Sequence, residues 1–318
     1  MRENVQTAMN TILTTFNNPP AYTVVGGLER KNSSGVSVVV LDRGTPYNRA
    51  VLFEDLEKLG FDYIVSFVGN RTRYDIDGLS ASFPSVRFII SEDVSCGEEI
   101  NIAALELSGS HFLVIWNDMR ILKGSADSFE KNQKLCLVPV IQNGKFESLP
   151  TLFAPLILKG QVKTHPFEYE KEGQLSIFPF DGIGLYERES FLRLGGFDRS
   201  LSNFYWQLMD FGFRAHLWGE EISASNTIKI SYEGSVTPKD LTGSDCFRRF
   251  YLKNLAPVFR GDHANLPLRR FPGFLFRSKT GLFTSLDEFN KVREWVKLNQ
   301  FRFRCDARTV AELWGGIP

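Results

Sequence analysis

The strongest chemical signal in the sequence is a carboxylate at the end of an apolar run. His111-Phe112-Leu113-Val114-Ile115-Trp116 stops abruptly at Asn117-Asp118. Such a run, rich in β-branched and aromatic residues, reads as a buried strand that carries its terminal acid to the C-terminal edge of a sheet. Open α/β sheets bind ligands at that edge. An aspartate in the same place also caps a turn with its own side chain, and spacing alone leaves both roles open. A second carboxylate, Asp210, lies four residues before Arg214 on the helical stretch Trp206–Trp218. By spacing this is an i,i+4 ion pair, worth about 0.2–0.5 kcal/mol on a helix surface. His111, His165, His216 and His263 show no metal-ligand spacing and read as structural or exposed. Cys96, Cys136, Cys246 and Cys305 are far apart with no CxxC, which indicates neither a zinc site nor a disulfide framework.

The elements that must position these groups alternate in type. Residues 2–17 place Val5, Met9, Ile12 and Leu13 on a short amphipathic helix, stopped by Asn17-Asn18-Pro19-Pro20. Ala21–Gly27 reads as a strand and Lys31–Gly35 as a turn. Val36–Leu41 is a nearly unbroken β-branched run, hence a buried strand. After Asp42-Arg43-Gly44-Thr45-Pro46 a helix puts Leu52, Leu56 and Leu59 on one face. Asp62–Val68 is the next strand, Tyr74–Ser82 a short helix and Val86–Ile90 a third strand. A helical segment through Asn101, Ala103, Ala104, Leu105 and Leu107 then leads to the run that ends at Asp118. Alternation of this kind predicts one mainly parallel sheet with helices packed on it. The strands Val36–Leu41, Tyr63–Val68, Val86–Ile90 and Phe112–Trp116 should share it, with Asp118 at its C-terminal edge.

Beyond Asp118 the pattern loosens. Leu135–Ile141 reads as a strand and Gln142–Gln174 as irregular. A short helix, Glu189–Leu194, precedes Gly195-Gly196-Phe197-Asp198, whose glycines turn the backbone while Phe197 anchors the turn. Thr227–Tyr232 reads as a strand, Cys246–Phe259 as a helix, and Leu286–Leu298 as a terminal helix with Phe289, Val292 and Val296 on its apolar face.

The order of Gly97, Asn101, Gly109 and an apolar strand ending in Asn117-Asp118 resembles the family-2 glycosyltransferases of the GT-A fold. In that family a glycine, an asparagine four residues later and a small-residue helix precede a strand ending in two acids one residue apart. Here the first acid position is Trp116, so Asp118 alone matches. Gly195-Gly196-Phe197-Asp198, after a small-residue strand and a short helix, is the most specific match. The resemblance spans residues 36–235 and implies a GT-A-like, Rossmann-like α/β domain there. It leaves 1–35 as an N-terminal helix and lead-in, and 236–318 as a helical, partly basic extension.

The same resemblance implies transfer of a sugar from a nucleotide-sugar donor, with inversion, to a glycan, lipid-linked or protein acceptor. Its nucleotide-sugar-binding set falls on Asp42, Phe67, Gly97, Asn101, Asn117 and Asp118. Phe67 stands where the family has an aspartate for the base or ribose; a ring stacks on a base but accepts no hydrogen bond, and it also reads as core. A divalent cation, Mg²⁺ or Mn²⁺, would rest on Asp118, with Glu233 a further hard ligand; Mg²⁺ manages with one or two carboxylates plus phosphates. The family's catalytic base falls on Gln207-Leu208, and neither residue can take a proton. Asp210 and Asp198 are then the catalytic candidates, with Glu220-Glu221 in reserve. A non-catalytic relative that binds a glycan, nucleotide or partner protein is the competing expectation.

Composition narrows the partners. Basic and acidic residues balance at 37 each, so no nucleic acid is expected. The 28 phenylalanines suggest a densely packed aromatic core. Residues 1–17 lack the apolar stretch of a signal peptide and no window is long enough to span a bilayer, which together with the cysteines predicts a cytoplasmic protein. Within 265–283, Arg269, Arg270, Arg277 and Lys279 interleave with Phe271, Phe274, Leu275, Phe276 and Phe283. That mixture reads either as a peripheral membrane contact or as a solvated basic face over a packed extension.

Overall fold

The computed structural model describes residues 20–27, 34–43, 49–68, 75–158, 161–232, 244–278 and 280–314. The helix expected at 2–17, most of the turn expected at Lys31–Gly35, and Glu233 lie outside these residues. The strands are β1 (Tyr22–Gly26), β2 (Val36–Leu41), β3 (Ile64–Val68), β4 (Val86–Ser91), β5 (His111–Trp116), β6 (Met119–Lys123), β7 (Cys136–Asn143), β8 (Leu152–Leu158), β9 (Gln161–Phe167), β10 (Gly184–Glu187), β11 (Ile222–Tyr232), β12 (Val258–Arg260) and β13 (His263–Asn265). The helices are α1 (Arg49–Glu57), α2 (Ile76–Ser82), α3 (Cys96–Glu106), α4 (Ala126–Phe129), α5 (Arg188–Leu194), α6 (Phe204–Leu217), α7 (Ser244–Phe250), α8 (Phe271–Ser278), α9 (Leu282–Leu298) and α10 (Ala307–Glu312).

One nine-stranded sheet organises the chain, in the order β1-β4-β3-β2-β5-β10-β7-β11-β6. Its β4-β3-β2-β5 block is parallel throughout, as the alternation predicts. Every residue of β2, β3 and β5 is buried, which is why these strands read as unbroken apolar runs: a parallel sheet is covered on both faces. Leu41 is paired with Trp116, so β2 and β5 end side by side and Asp118 lies at their C-terminal edge. β10 and β6 are antiparallel to their neighbours and β11 runs parallel to β7, giving the second half its mixed character.

Three differences from the sequence reading have local causes. The stretch 142–174, expected to be irregular, contains the antiparallel β8–β9 hairpin. Pro155 and Pro166 lie inside its strands, and a two-stranded ladder tolerates them because both strands are edges. The helix expected through Phe259 passes at Tyr251 into a wide turn and ends at Leu255, two residues before Pro257. Leu282–Leu298 begins earlier than expected and is not terminal, since α10 follows.

Aromatic packing joins sheet to helices. Phe191 packs on Phe112 and Tyr186, Phe211 packs on Tyr186, and Phe197 packs on both Phe191 and Phe211, with Phe197 and Phe211 stacked at 4.6 Å and Phe112 and Tyr186 at 5.2 Å. All four cysteines are free thiols. Among the described residues no helix is long and apolar enough to cross a membrane.

Candidate functional site

The C-terminal edge of β2 and β5 gathers the polar groups that the strands deliver. Asn117 ties the two strand ends together. Its backbone N–H donates to Leu41 O (2.9 Å), its side-chain amide donates to Asp42 Oδ1 (2.8 Å), and its Oδ1 accepts from the Arg43 N–H (3.2 Å). Arg49, buried at the start of α1, pairs with Asp42 Oδ2 at 2.8 Å and donates to Ser66 Oγ at 3.1 Å. Asp42 is thereby fixed from two sides.

Arg43 is the centre of the arrangement. Its Nε lies 3.4 Å from Asp118 Oδ1 and its terminal nitrogen 3.0 Å from Asp181 Oδ2. The guanidinium carbon sits 4.2 Å from the Trp116 ring centroid and 5.2 Å from that of Tyr232, the last residue of β11. Trp116 Nε1–H donates to the Asp181 carbonyl at 3.0 Å, so the indole both stacks on Arg43 and holds the Asp181 turn. Asp181 has φ 48°, ψ 26°, a left-handed conformation uncommon for a residue with a side chain, held where two charged groups meet. Burial pushes the Asp118 carboxyl up, opposed by Arg43 beside it. Glu99, on the first turn of α3, is pushed up to about 8 by burial and then by the charge of Asp42. Arg43, Asp181 and Glu99 were not singled out from sequence. Asp181-Gly182 after Pro179 carries a turn signal, but its partner lies 138 residues away.

For a divalent cation the described residues supply Asp118, and Glu233, the other expected ligand, lies outside them. Among the described residues no three His, Cys, Asp or Glu side chains converge. The two carboxylates that meet here, Asp118 and Asp181, both face a guanidinium that already supplies positive charge.

The other expected residues are placed elsewhere. Phe67 is fully buried in β3 and has no face to offer a base. Gly97 and Asn101 form an interlock with the Gly195–Asp198 turn. Asn101 accepts from the Phe197 N–H (2.8 Å) and donates to Phe197 O (2.9 Å). A Cβ on Gly97 would fall 2.6 Å from Gln207 Oε1 and 2.9 Å from Phe197 Cβ, and a Cβ on Gly196 would meet Asn101 Oδ1. The segments that carry the family resemblance therefore hold each other.

Asp198, at the end of that turn, and Asp210 of α6 sit in a buried ion cluster. Lys253 Nζ is 2.7 Å from Asp198 Oδ2 and 2.8 Å from Asp210 Oδ1. Arg249 adds a contact to Asp198 at 3.2 Å, Arg214 one to Asp210 at 2.9 Å, and Asn254 donates to Asp210 at 2.8 Å. Burial pushes each carboxyl up, but the lysine and arginines override it and hold both below the usual range. Gln207 donates to Ser95 Oγ at 2.7 Å, and Leu208 is 3% exposed in the core. His216 is buried against the Ser176 carbonyl, its pKa lowered to about 4 by burial.

The mixed nine-stranded sheet with its flanking helices has a GT-A-like α/β fold. No family model matches the sequence, and no curated protein matches it. Solved structures do. A crystal structure of GalNAc-T7 with UDP, GalNAc and Mn²⁺ superposes with a TM-score of 0.59 at 13% identity, over 87% of this chain and 56% of that one. S. aureus TarS 1–349 with UDP-GlcNAc aligns over 88% of this chain and 91% of that one, with a TM-score of 0.47 and 13% identity. HddC from Yersinia pseudotuberculosis aligns over 61% and 92%, with a TM-score of 0.39 and 17% identity. The chain thus spans little more than half the length of the GalNAc-T7 structure.

Proposed function

We propose that the chain receives the diphosphate of a nucleotide-sugar donor at the edge of β2 and β5 and transfers the sugar, with inversion, to a glycan, lipid-linked or protein acceptor. The observation that carries this reading is Arg43, held between Asp118 and Asp181 and stacked on Trp116 at the strand ends. A guanidinium presents a planar fork that matches phosphate oxygens, and fixed positive charge stabilises a departing diphosphate. Asp118 and Asp181 orient that fork, and Asn117 with Asp42 fixes the backbone that carries it. The UDP and Mn²⁺ in the GalNAc-T7 structure support the donor class and make a divalent ion the alternative source of charge. Asp118 would hold such an ion if Arg43 moved aside. Inversion needs a carboxylate to take the acceptor's proton. Asp198 and Asp210 are neutralised by Lys253 and the arginines, Asp118 and Asp181 pair with Arg43, and Glu99, pushed up to about 8, holds its proton at neutral pH, so no carboxylate is assigned as the base.

A second reading, a non-catalytic GT-A-like protein that binds a glycan, nucleotide or partner, is favoured by one feature. The aligned base positions hold Gln207 and Leu208, both buried. Calorimetry with UDP, GDP, CDP and dTDP, in Mn²⁺ and in EDTA, tests both. At least one nucleotide should bind equally well with and without metal, and Arg43→Ala should weaken it about 10- to 100-fold, the loss of charge-assisted hydrogen bonds. Failure of all four nucleotides to bind under either condition overturns the donor site. Binding without turnover of the corresponding nucleotide sugar selects the second reading.

A further inference from the structure

The chain is electrically balanced, but one stretch is not. Residues 265–286 contain Arg269, Arg270, Arg277 and Lys279 and no aspartate or glutamate. The stretch forms the end of the α8–α9 helical hairpin. The hairpin packs inward through Phe274 and Ser278 of α8 and Ser285, Phe289, Val292 and Val296 of α9. Phe271 and Phe274 meet Phe289 at 5.3 and 6.2 Å between ring centroids, and Ser278 Oγ lies 3.0 Å from Ser285 Oγ.

Two residues along a helix turn about 200°, so a side chain two places from a buried one faces away from it. Phe276 stands between Phe274 and Ser278, and Phe283 stands two before Ser285. They are 92% and 85% exposed. Both leave the hairpin on its outer side, near the turn that joins the helices. Leu282 (53%) lies beside Phe283, and Leu268 and Leu286 are exposed as well. Arg269 and Arg270, just before α8, and Arg277, next to Phe276, are exposed as well. The acids next in sequence are matched, Asp287 with Lys291 at 2.7 Å and Glu288 with Arg248 at 3.5 Å, and Arg248, which donates to Ser278 O at 3.4 Å, also pairs with Asp245 at 2.7 Å.

We propose that the α8–α9 tip docks on a bilayer bearing anionic lipid, Phe276, Leu282 and Phe283 entering the headgroup boundary and Arg269, Arg270 and Arg277 pairing with its phosphates. Single exposed apolar residues are ordinary, but two exposed aromatic rings on either side of a helix–helix turn, within an acid-free basic stretch, match the chemistry of that interface. Each arginine near an anionic surface adds attraction, and the rings add burial that salt does not screen. The inference goes beyond the donor-site reading and does not rest on it.

Flotation of the full chain with vesicles tests it, using phosphatidylcholine alone and phosphatidylcholine with roughly 30% phosphatidylglycerol. The chain should float with the anionic vesicles and at least about tenfold less with the neutral ones. Phe276→Ser with Phe283→Ser, and separately Arg269→Ala with Arg270→Ala and Arg277→Ala, should each lower binding at least about tenfold at unchanged melting temperature. Absence of flotation, or flotation that neither set of variants weakens, overturns the proposal. So does light scattering that shows the wild type as a dimer and the double phenylalanine variant as a monomer, because the patch would then be covered by a second copy.

Discussion

Lys253→Met separates a structural from a catalytic role for Asp198 and Asp210. Methionine keeps the unbranched stem up to its fourth atom and removes the charged nitrogen. Lys253, Asp198 and Asp210 are all at most 3% exposed, and Lys253 Nζ bridges the two carboxylates at 2.7 and 2.8 Å. Removing one member of a buried ion pair costs about 3–5 kcal/mol, because the partner stays buried and uncompensated. Arg249 and Arg214 remain on one carboxylate each, which places the expectation at the lower end, about 3 kcal/mol. Urea unfolding at pH 7 should show it as a midpoint lowered by about 1 M for a slope of about 3 kcal/mol/M. The pH dependence carries a sign. In the wild type both carboxyls are held below their ordinary values, so their contribution is present above about pH 3.9 and is lost as pH falls through the folded values. Without Lys253 burial wins, the folded values rise, and the variant's deficit is greatest at neutral pH and shrinks on acidification. A loss below about 1 kcal/mol, or a deficit that grows as pH falls, refutes the structural role and returns Asp210 to the list of candidate bases.

Two further expectations concern α3. Asn101→Ala leaves the Phe197 N–H and C=O without their side-chain partner inside the core, and thermal or urea unfolding should register a loss of about 2–3 kcal/mol; a loss under about 0.5 kcal/mol would mean the interlock is incidental. Glu99 is raised from an ordinary value of about 4.3 to about 8, so wild-type stability from this group is full at acid pH and falls as pH rises through about 8. Glu99→Gln should remove that fall, making the variant the more stable protein at pH 9, and an unchanged profile counts against the burial of this carboxyl beside Asp42.

The parallel half of the fold was legible because each of its central strands is buried on both faces, which leaves a continuous apolar run, and the β-branched content and the five- or six-residue length of these runs favour strand over helix. β6 and the β8–β9 hairpin left no such trace, being edge strands with mixed polarity or proline inside. The site divides along a different line. Asp118 was found because the end of a strand is a local feature, and Asp210 with Arg214 because they are one helical turn apart. Arg43 with Asp181, and Lys253 with Asp198, bring together groups 138 and 55 residues apart, and no local pattern announces such a pair. The interlock of Gly97 and Asn101 with Phe197 explains why the resemblance survives where the acids do not. Its residues answer to packing, since a Cβ at Gly97 or a lost amide at Asn101 disturbs the core whatever ligand the edge receives. The edge has no such packing constraint in the proposed reading, where a phosphate meets the guanidinium of Arg43, 4.2 Å from the Trp116 ring centroid and 3.4 Å from Asp118, in place of a cation held by two acids.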